Sequence, residues 1–165
     1  MHLRRWSDFV FEVAFCVDPI AGVVPISQIY VSDLDGTLLR SDATLSDYSK
    51  RHLIELLDNG LMFTVASARS VIAMQNILQG VPLRLPVIEF NGAFISDLAT
   101  GKHEVIHEID KHIVPEILHL IRQHRCLPFV STFNGKEDCL YFESIANEGM
   151  RWYFDDRTKA KDKRL

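Results

Sequence analysis

From Gln28 onward the apolar residues fall into runs whose period changes in a regular order. Ile29-Tyr-Val-Ser is a short β-branched and aromatic run that stops at Asp33-Leu-Asp-Gly-Thr, a strand followed by a glycine-bearing turn. Thr44-Leu-Ser-Asp47 has the form of a capping box. After it Tyr48, His52, Leu53, Leu56 and Leu57 recur at helical spacing, and Gly60 follows at a C-cap position. Leu61-Met-Phe-Thr-Val-Ala is a continuous apolar run, the pattern of a strand buried on both faces. Ser70 to Gln79 reads as a second helix closed by Gly80 and Pro82. Pro86-Val-Ile-Glu-Phe is a third strand, ending at Asn91-Gly92. Residues 28–92 therefore spell β-α-β-α-β, which predicts a parallel sheet with right-handed crossovers.

The pattern then changes. Residues 93–108 read as two strands around Ala99-Thr-Gly-Lys, a hairpin. Ile113 to His124 predicts a helix with Pro115 in its first turn. Pro128 to Phe133 and Cys139 to Glu143 form a strand pair around Asn134-Gly135, and Ile145 to Phe154 a further helix. The tail from Asp155 carries charge without periodicity and is expected to be structureless. Three parts follow: residues 1–27 as an extension outside the domain, 28–109 as an α/β core with its hairpin, and 110–165 as a smaller α+β unit.

Composition narrows the class. The 165 residues are 47% hydrophobic and 24% charged, which excludes low-complexity and disordered chains. A net charge of −4 offers no basic footprint, so no nucleic-acid partner is expected. The stretch from Phe9 to Val31 is broken by Glu12, Asp18, Pro19 and Pro25, so no membrane span is expected either. Cys16, Cys126 and Cys139 show no CxxC spacing and read as reduced thiols of a cytoplasmic protein.

The candidate chemistry lies at the strand ends. Asp33 and Asp35 stand in the turn that leaves the first strand, where ligands of open α/β sheets bind. Two clustered carboxylates repel unless a cation joins them, and hard oxygen ligands suit Mg²⁺. Gly36 permits a tight backbone with amide groups near an anion. Ser67-Ala-Arg69, at the end of the second strand, brings a hydroxyl and a guanidinium to the same rim. The plain alternatives are a solvated turn for the two aspartates and a helix N-cap for Ser67.

The string Val31-Ser-Asp33-Leu-Asp35-Gly-Thr37-Leu-Leu resembles motif I of the haloacid dehalogenase superfamily. Phe63-Thr-Val-Ala-Ser67-Ala-Arg69 resembles motif II, with Ala68 in place of the commoner Gly. Pro86-Val-Ile-Glu-Phe-Asn91-Gly92-Ala before a hairpin is similar to the Cof-type branch, subfamily IIB, which carries a large cap. The resemblance implies a Rossmann-like, doubly wound parallel sheet, incomplete here, with part of an α+β cap domain. It implies a Mg²⁺-dependent phosphatase of small phosphorylated metabolites, with Asp33 as nucleophile and Asp35 as general acid and base. Asp33 and Asp35 would hold the metal; Ser67, Leu34 and Thr37 would surround the phosphate. Arg69 and Asn91 are substrate-side candidates on the same rim.

The family's later motifs, a Lys and a Gly-Asp-x-x-Asn-Asp string, find no match; Lys159, Lys161 and Lys163 lie in the charged tail. The chain is thus expected to be truncated within its cap. Its apolar runs Leu61 to Ala66 and Val87 to Phe90 are expected to stay partly exposed, and the incomplete sheet to permit self-association. A catalytically incomplete fragment or pseudogene product without turnover is the alternative. A remoter one is a zinc metalloprotease, because His103-Glu-Val-Ile-His107 matches HExxH. That chemistry needs a helix. The string follows Thr100-Gly101 and contains Val105 and Ile106, so it reads as a solvent-facing hairpin strand. There its histidines would lie about 13 Å apart, at roughly 3.3 Å per residue.

Overall fold

The computed structural model describes residues 28–159, 162, 164 and 165; the expected extension, residues 1–27, and Cys16 lie outside the described residues. The chain divides into two compact units, Met1–His107 and Glu108–Leu165.

In the first unit β1 (Tyr30–Asp33), β2 (Phe63–Ala66) and β3 (Val87–Glu89) alternate with α1 (Asp47–Asp58) and α2 (Val71–Ile77). The hairpin β4 (Phe94–Ser96) and β5 (His103–Ile106) continues the same sheet. Strand order is β1-β2-β3-β4-β5, with the first three parallel and the last two antiparallel. This is the α/β architecture expected from the alternation of periods. Both crossovers advance in one direction, so right-handedness places α1 and α2 on one face. Leu53 and Leu57 from α1, with Met74 from α2 and Leu78 just after it, close over Val65, Val87 and Leu34 in one core. Each such side chain contributes about 1.5–3 kcal/mol on full burial.

One expectation holds only in part and another fails, each for a physical reason. The runs in β2 and β3 are not left open on that side: Val65 and Val87 are fully buried, because both helices cover them. Leu61, Met62, Phe63 and Ala66 of the first run, and Ile88 and Phe90 of the second, are half-buried. The cap of α1 is Ser46, not Thr44. The Ser46 hydroxyl accepts the Ser49 amide at 2.9 Å, while Thr44 is spent on Asp42, to which its hydroxyl donates at 2.6 Å. Gly60, just past the helix, takes φ +91°, which a side chain would resist.

The second unit holds α3 (Val114–Gln123), the antiparallel pair β6 (Val130–Phe133) and β7 (Asp138–Tyr141), and α4 (Glu148–Lys159). Phe129 packs against Phe142 and Tyr153, and Phe142 against Phe154. The tail is not structureless. Helix α4 continues through it to Lys159, and the Arg164 carbonyl accepts the Leu140 amide of β7 at 3.0 Å. Arg164 and Asp162 are buried together, with a 2.6 Å ion pair, and Arg164 also donates to the Ser131 hydroxyl at 2.9 Å. Charged residues can enter an interior when paired in this way, which hydropathy does not register. Cys126 and Cys139 are free thiols. Among the described residues no helix is long and apolar enough to cross a membrane.

The Asp162 carboxyl is held below its ordinary value of 3.8. Burial opposes its charge, but hydrogen bonds from the Arg164 side chain and backbone, with the charges of Arg164 and Arg157, outweigh that opposition. A depressed carboxyl stabilises the fold fully above the unfolded value and loses that stabilisation as acid protonates the folded form. Urea unfolding of the second unit, followed through the near-ultraviolet signal of its aromatic cluster, should therefore show stability falling as pH drops below about 4. Asp162→Asn should cost about 3–5 kcal/mol at pH 7, the scale for orphaning one member of a buried pair, and should flatten the acid limb.

Candidate active site

Asp33, the last residue of β1, pairs in register with Ala66, the last residue of β2. Ser67 is the next residue, so Asp33 and Ser67 both lie at the carboxyl ends of adjacent strands. The Asn91 amide donates to the Ser67 carbonyl at 3.0 Å, which joins the end of β3 to the same rim. The sequence-expected residues are thus gathered by strand pairing and loop bonds.

Beyond Asp33 the chain makes a single wide turn, Leu34–Leu38, closed by the Leu39 amide on the Leu34 carbonyl at 2.9 Å. Gly36 sits in it at φ +79°, where a side chain would be strained. The Leu34 side chain is fully buried and pins the turn to the core; Asp35 and Thr37 face solvent. The Leu34 amide, expected at the phosphate, donates to Asp33 Oδ1 at 2.6 Å. That leaves Oδ2 as the Asp33 oxygen for an incoming ligand.

Asp35 and Arg69 are bound to each other. Arg69 Nε donates to Asp35 Oδ2 at 2.8 Å and Nη2 to Oδ1 at 2.7 Å, a bidentate fork. The Asp35 side chain is 51% exposed and that of Arg69 20%, so the pair is accessible to a ligand. Ser67 is buried, and its Oγ accepts the Arg69 amide at 3.2 Å, leaving its O–H to donate. It is not the helix cap; Ser70 caps α2 by accepting the Ala73 amide at 3.4 Å.

Sequence reasoning passed over two features. Phe90 and Asn91 both lie in the left-handed region, at φ +49° and +57°, with Gly92 after them at +97°. For a bulky residue such as Phe90 this is an outlier, and strain of about 1–3 kcal/mol per residue is typical beside functional sites. The second is Glu89, a fully buried carboxylate. Its Oε2 accepts the Val71 amide at 2.5 Å; its Oε1 accepts the Ser96 hydroxyl and lies 3.1 Å from His103 Nδ1. An acidic residue inside an apolar strand was the signal available in the sequence.

The HExxH string is a strand, as expected, but it is not wholly solvent-facing. The His103 side chain is 5% exposed, sits 2.7 Å from the Ser96 hydroxyl and packs against the Phe94 ring at a tilt of 53°. His107 is exposed. Among the described residues no group of three or more His, Cys, Asp or Glu converges on a metal position.

Comparison with known proteins places this geometry among relatives. Residues 30–164 match the family model described as haloacid dehalogenase-like hydrolase. A Mycoplasma genitalium protein named "Putative phosphatase MG265" is 36% identical over 103 residues, which cover 62% of this chain and 35% of that protein. The HMP-PP phosphatase of Escherichia fergusonii is 27% identical over 140 residues, 81% of this chain and 50% of that one. A haloacid dehalogenase-like hydrolase from Bacillus subtilis has the same fold, with TM-score 0.56 at 24% identity, covering 82% of this chain and 46% of its own. The chain spans about a third to a half of the length of these curated relatives.

The contrast between the two histidines is testable. His107→Ala should leave the melting temperature unchanged, whereas His103→Ala should cost about 1–3 kcal/mol, because it removes a partner from buried polar groups. Metal analysis should find no zinc lost from either variant.

Proposed function

Because the chain belongs to the haloacid dehalogenase-like hydrolases, we propose that this rim takes the phosphomonoester of a small metabolite and passes its phosphoryl group to Asp33 and then to water. The observation that carries the reading is the register of β1 on β2, which ends Asp33 and the Ser67 loop at one edge of the sheet, where Arg69 of that loop is bonded to Asp35. The phosphatase names of the relatives support the reaction class.

Asp33 Oδ2 forms a bond to phosphorus as the ester P–O bond breaks. Asp35 gives its proton to the departing oxygen, then takes one from the water that hydrolyses the aspartyl-phosphate. Two displacements replace one harder one. The Ser67 hydroxyl donates to a phosphoryl oxygen, and the turn bearing Leu34 and Thr37 offers backbone amides once Asp33 rotates away from Leu34. Arg69 holds Asp35 in the free protein. An arriving phosphate dianion competes for the guanidinium and releases the Asp35 carboxylate, which takes up a proton from solvent before giving it to the departing oxygen; Asn91 stands on the same rim as a substrate-side group.

Mg²⁺ fits the donor chemistry. The Asp33 carboxylate and the Asp35 carbonyl are hard oxygens in one turn, and Mg²⁺ accepts one or two carboxylates with water and phosphate completing its shell. When bound it would neutralise charge between the anionic nucleophile and the anionic substrate. The unit Glu108–Leu165 is assigned to an α+β cap domain, and the substrate to the small phosphorylated metabolites of the cytoplasm.

Two measurements test the proposal. With Mg²⁺ present, the chain should form a beryllofluoride adduct that raises its melting temperature, and Asp33→Asn should abolish both that shift and p-nitrophenyl phosphate turnover. Asp35→Asn should keep the adduct but slow turnover by about 10²–10⁴-fold, the range of a lost general acid–base group. An Asp33→Asn variant with full turnover would remove the assignment; an adduct without turnover in the unaltered chain would favour the incomplete-fragment alternative.

A further inference from the structure

The segment Ser67–Val71 carries two of the rim's side chains and is fastened to the end of β3 by a ladder of bonds. The Ser67 amide donates to the Ile88 carbonyl at 2.9 Å, the Asn91 amide to the Ser67 carbonyl at 3.0 Å, and the Phe90 amide to the Arg69 carbonyl at 3.3 Å. The last rung is different in kind. The Val71 amide donates at 2.5 Å to a side chain, the Glu89 carboxylate. That carboxylate is fully buried, and its other oxygen takes the Ser96 hydroxyl of β4 and lies 3.1 Å from His103 Nδ1 of β5. One carboxylate therefore joins the start of α2 to three strands.

We propose that Glu89 is a positioning residue for the phosphate-binding edge: its reach from β3 to Val71 fixes the Ser67–Ser70 loop, and Ser96 and His103 fix Glu89 in turn. The proposal rests on the phosphatase reading for the ligand at that edge. The bond by which Glu89 reaches this edge is the one to the Val71 amide, so it acts through the loop. A long side chain is required, because one end of the carboxylate must meet an amide in α2 while the other meets a hydroxyl in β4. Charge is the lesser requirement. A glutamine could accept the Val71 amide through its carbonyl and donate to the Ser96 hydroxyl, which could then donate to His103 Nδ1. An aspartate keeps the charge but withdraws it by one methylene. The same contacts absorb His103, the first residue of the HExxH string, into a structural role.

The test uses the full chain and two variants chosen to fold, Glu89→Asp and Glu89→Gln. Amide hydrogen exchange is read at Val71 and Arg69, with Leu57 in α1 as internal reference, and orthophosphate is titrated with Mg²⁺ present. Glu89→Asp should accelerate exchange at Val71 about tenfold relative to Leu57 and weaken orthophosphate binding by a similar factor, the size of one lost hydrogen bond to a charged group. Glu89→Gln should restore both to near the unaltered values. Unchanged Val71 exchange in Glu89→Asp, or equal losses in the two variants, would overturn the proposal. A merely structural defect would accelerate Leu57 and Val71 together, and this too counts against it. If the unaltered chain binds no orthophosphate, the phosphatase reading fails, while the exchange comparison still decides the role of Glu89.

Discussion

Parallel pairing of β1 with β2, in register from Tyr30↔Phe63 to Asp33↔Ala66, is the constraint from which the rest of the first unit follows. Parallel strands end at one edge of the sheet, so a register fixed at four positions also fixes which loop residues meet there. A slip of one residue would turn Val65 from the helix-covered face to the other and move Ser67 away from Asp33. The register is held because Leu34, Val65 and Val87 fill one core beneath α1 and α2. The energetics of burial thus determine the placement of polar groups that lie outside the core.

The edge itself runs against local preference. Phe90 and Asn91 adopt left-handed backbone conformations that cost free energy, and a buried carboxylate sits just before them. Both are tolerated because the surroundings over-determine them. The Phe90 and Asn91 amides are bonded to the Ser67–Arg69 loop, and Glu89 has partners in α2 and β4. Strain and polar burial are concentrated where the backbone must turn sharply to present side chains, and the apolar layer beneath supplies the compensating stability.

Two arginine–aspartate pairs show how exposure separates an adaptable contact from a fixed one. Arg69 and Asp35 form a bidentate fork with the carboxylate half in solvent. Exposed pairs of this kind contribute about 0–1 kcal/mol, so either partner can be drawn to a stronger ligand. Arg164 and Asp162 make a similar fork with side chains 2% and 3% exposed. Separating them would leave a charge in a poorly solvated interior, so the pair locks the chain end onto β7. The same two residue types serve as an exchangeable clasp in one unit and a permanent rivet in the other.

The alternation of strand and helix periods, the two aspartates in a glycine turn and the Ser67-Ala-Arg69 string were legible without coordinates, since each depends on residues close in sequence. Local chemistry also identified Gly60 as a helix stop and β5 as a strand. What only the tertiary structure decided depends on groups far apart in the chain. Thr44 headed a capping-box string until Asp42 claimed its hydroxyl and Ser46 took the cap. His103 looked like a surface residue until Glu89 and Ser96 closed over it. Arg69 read as a substrate-side group on the rim, and it meets Asp35 across 34 positions of sequence. The charged tail looked like solvent-exposed chain, but Arg164 and Asp162 neutralise each other in a buried setting that hydropathy cannot register. Periodicity reports how one element partitions between water and core; it carries no information about which polar group will be waiting on the other side, and that is settled only when the strands have paired.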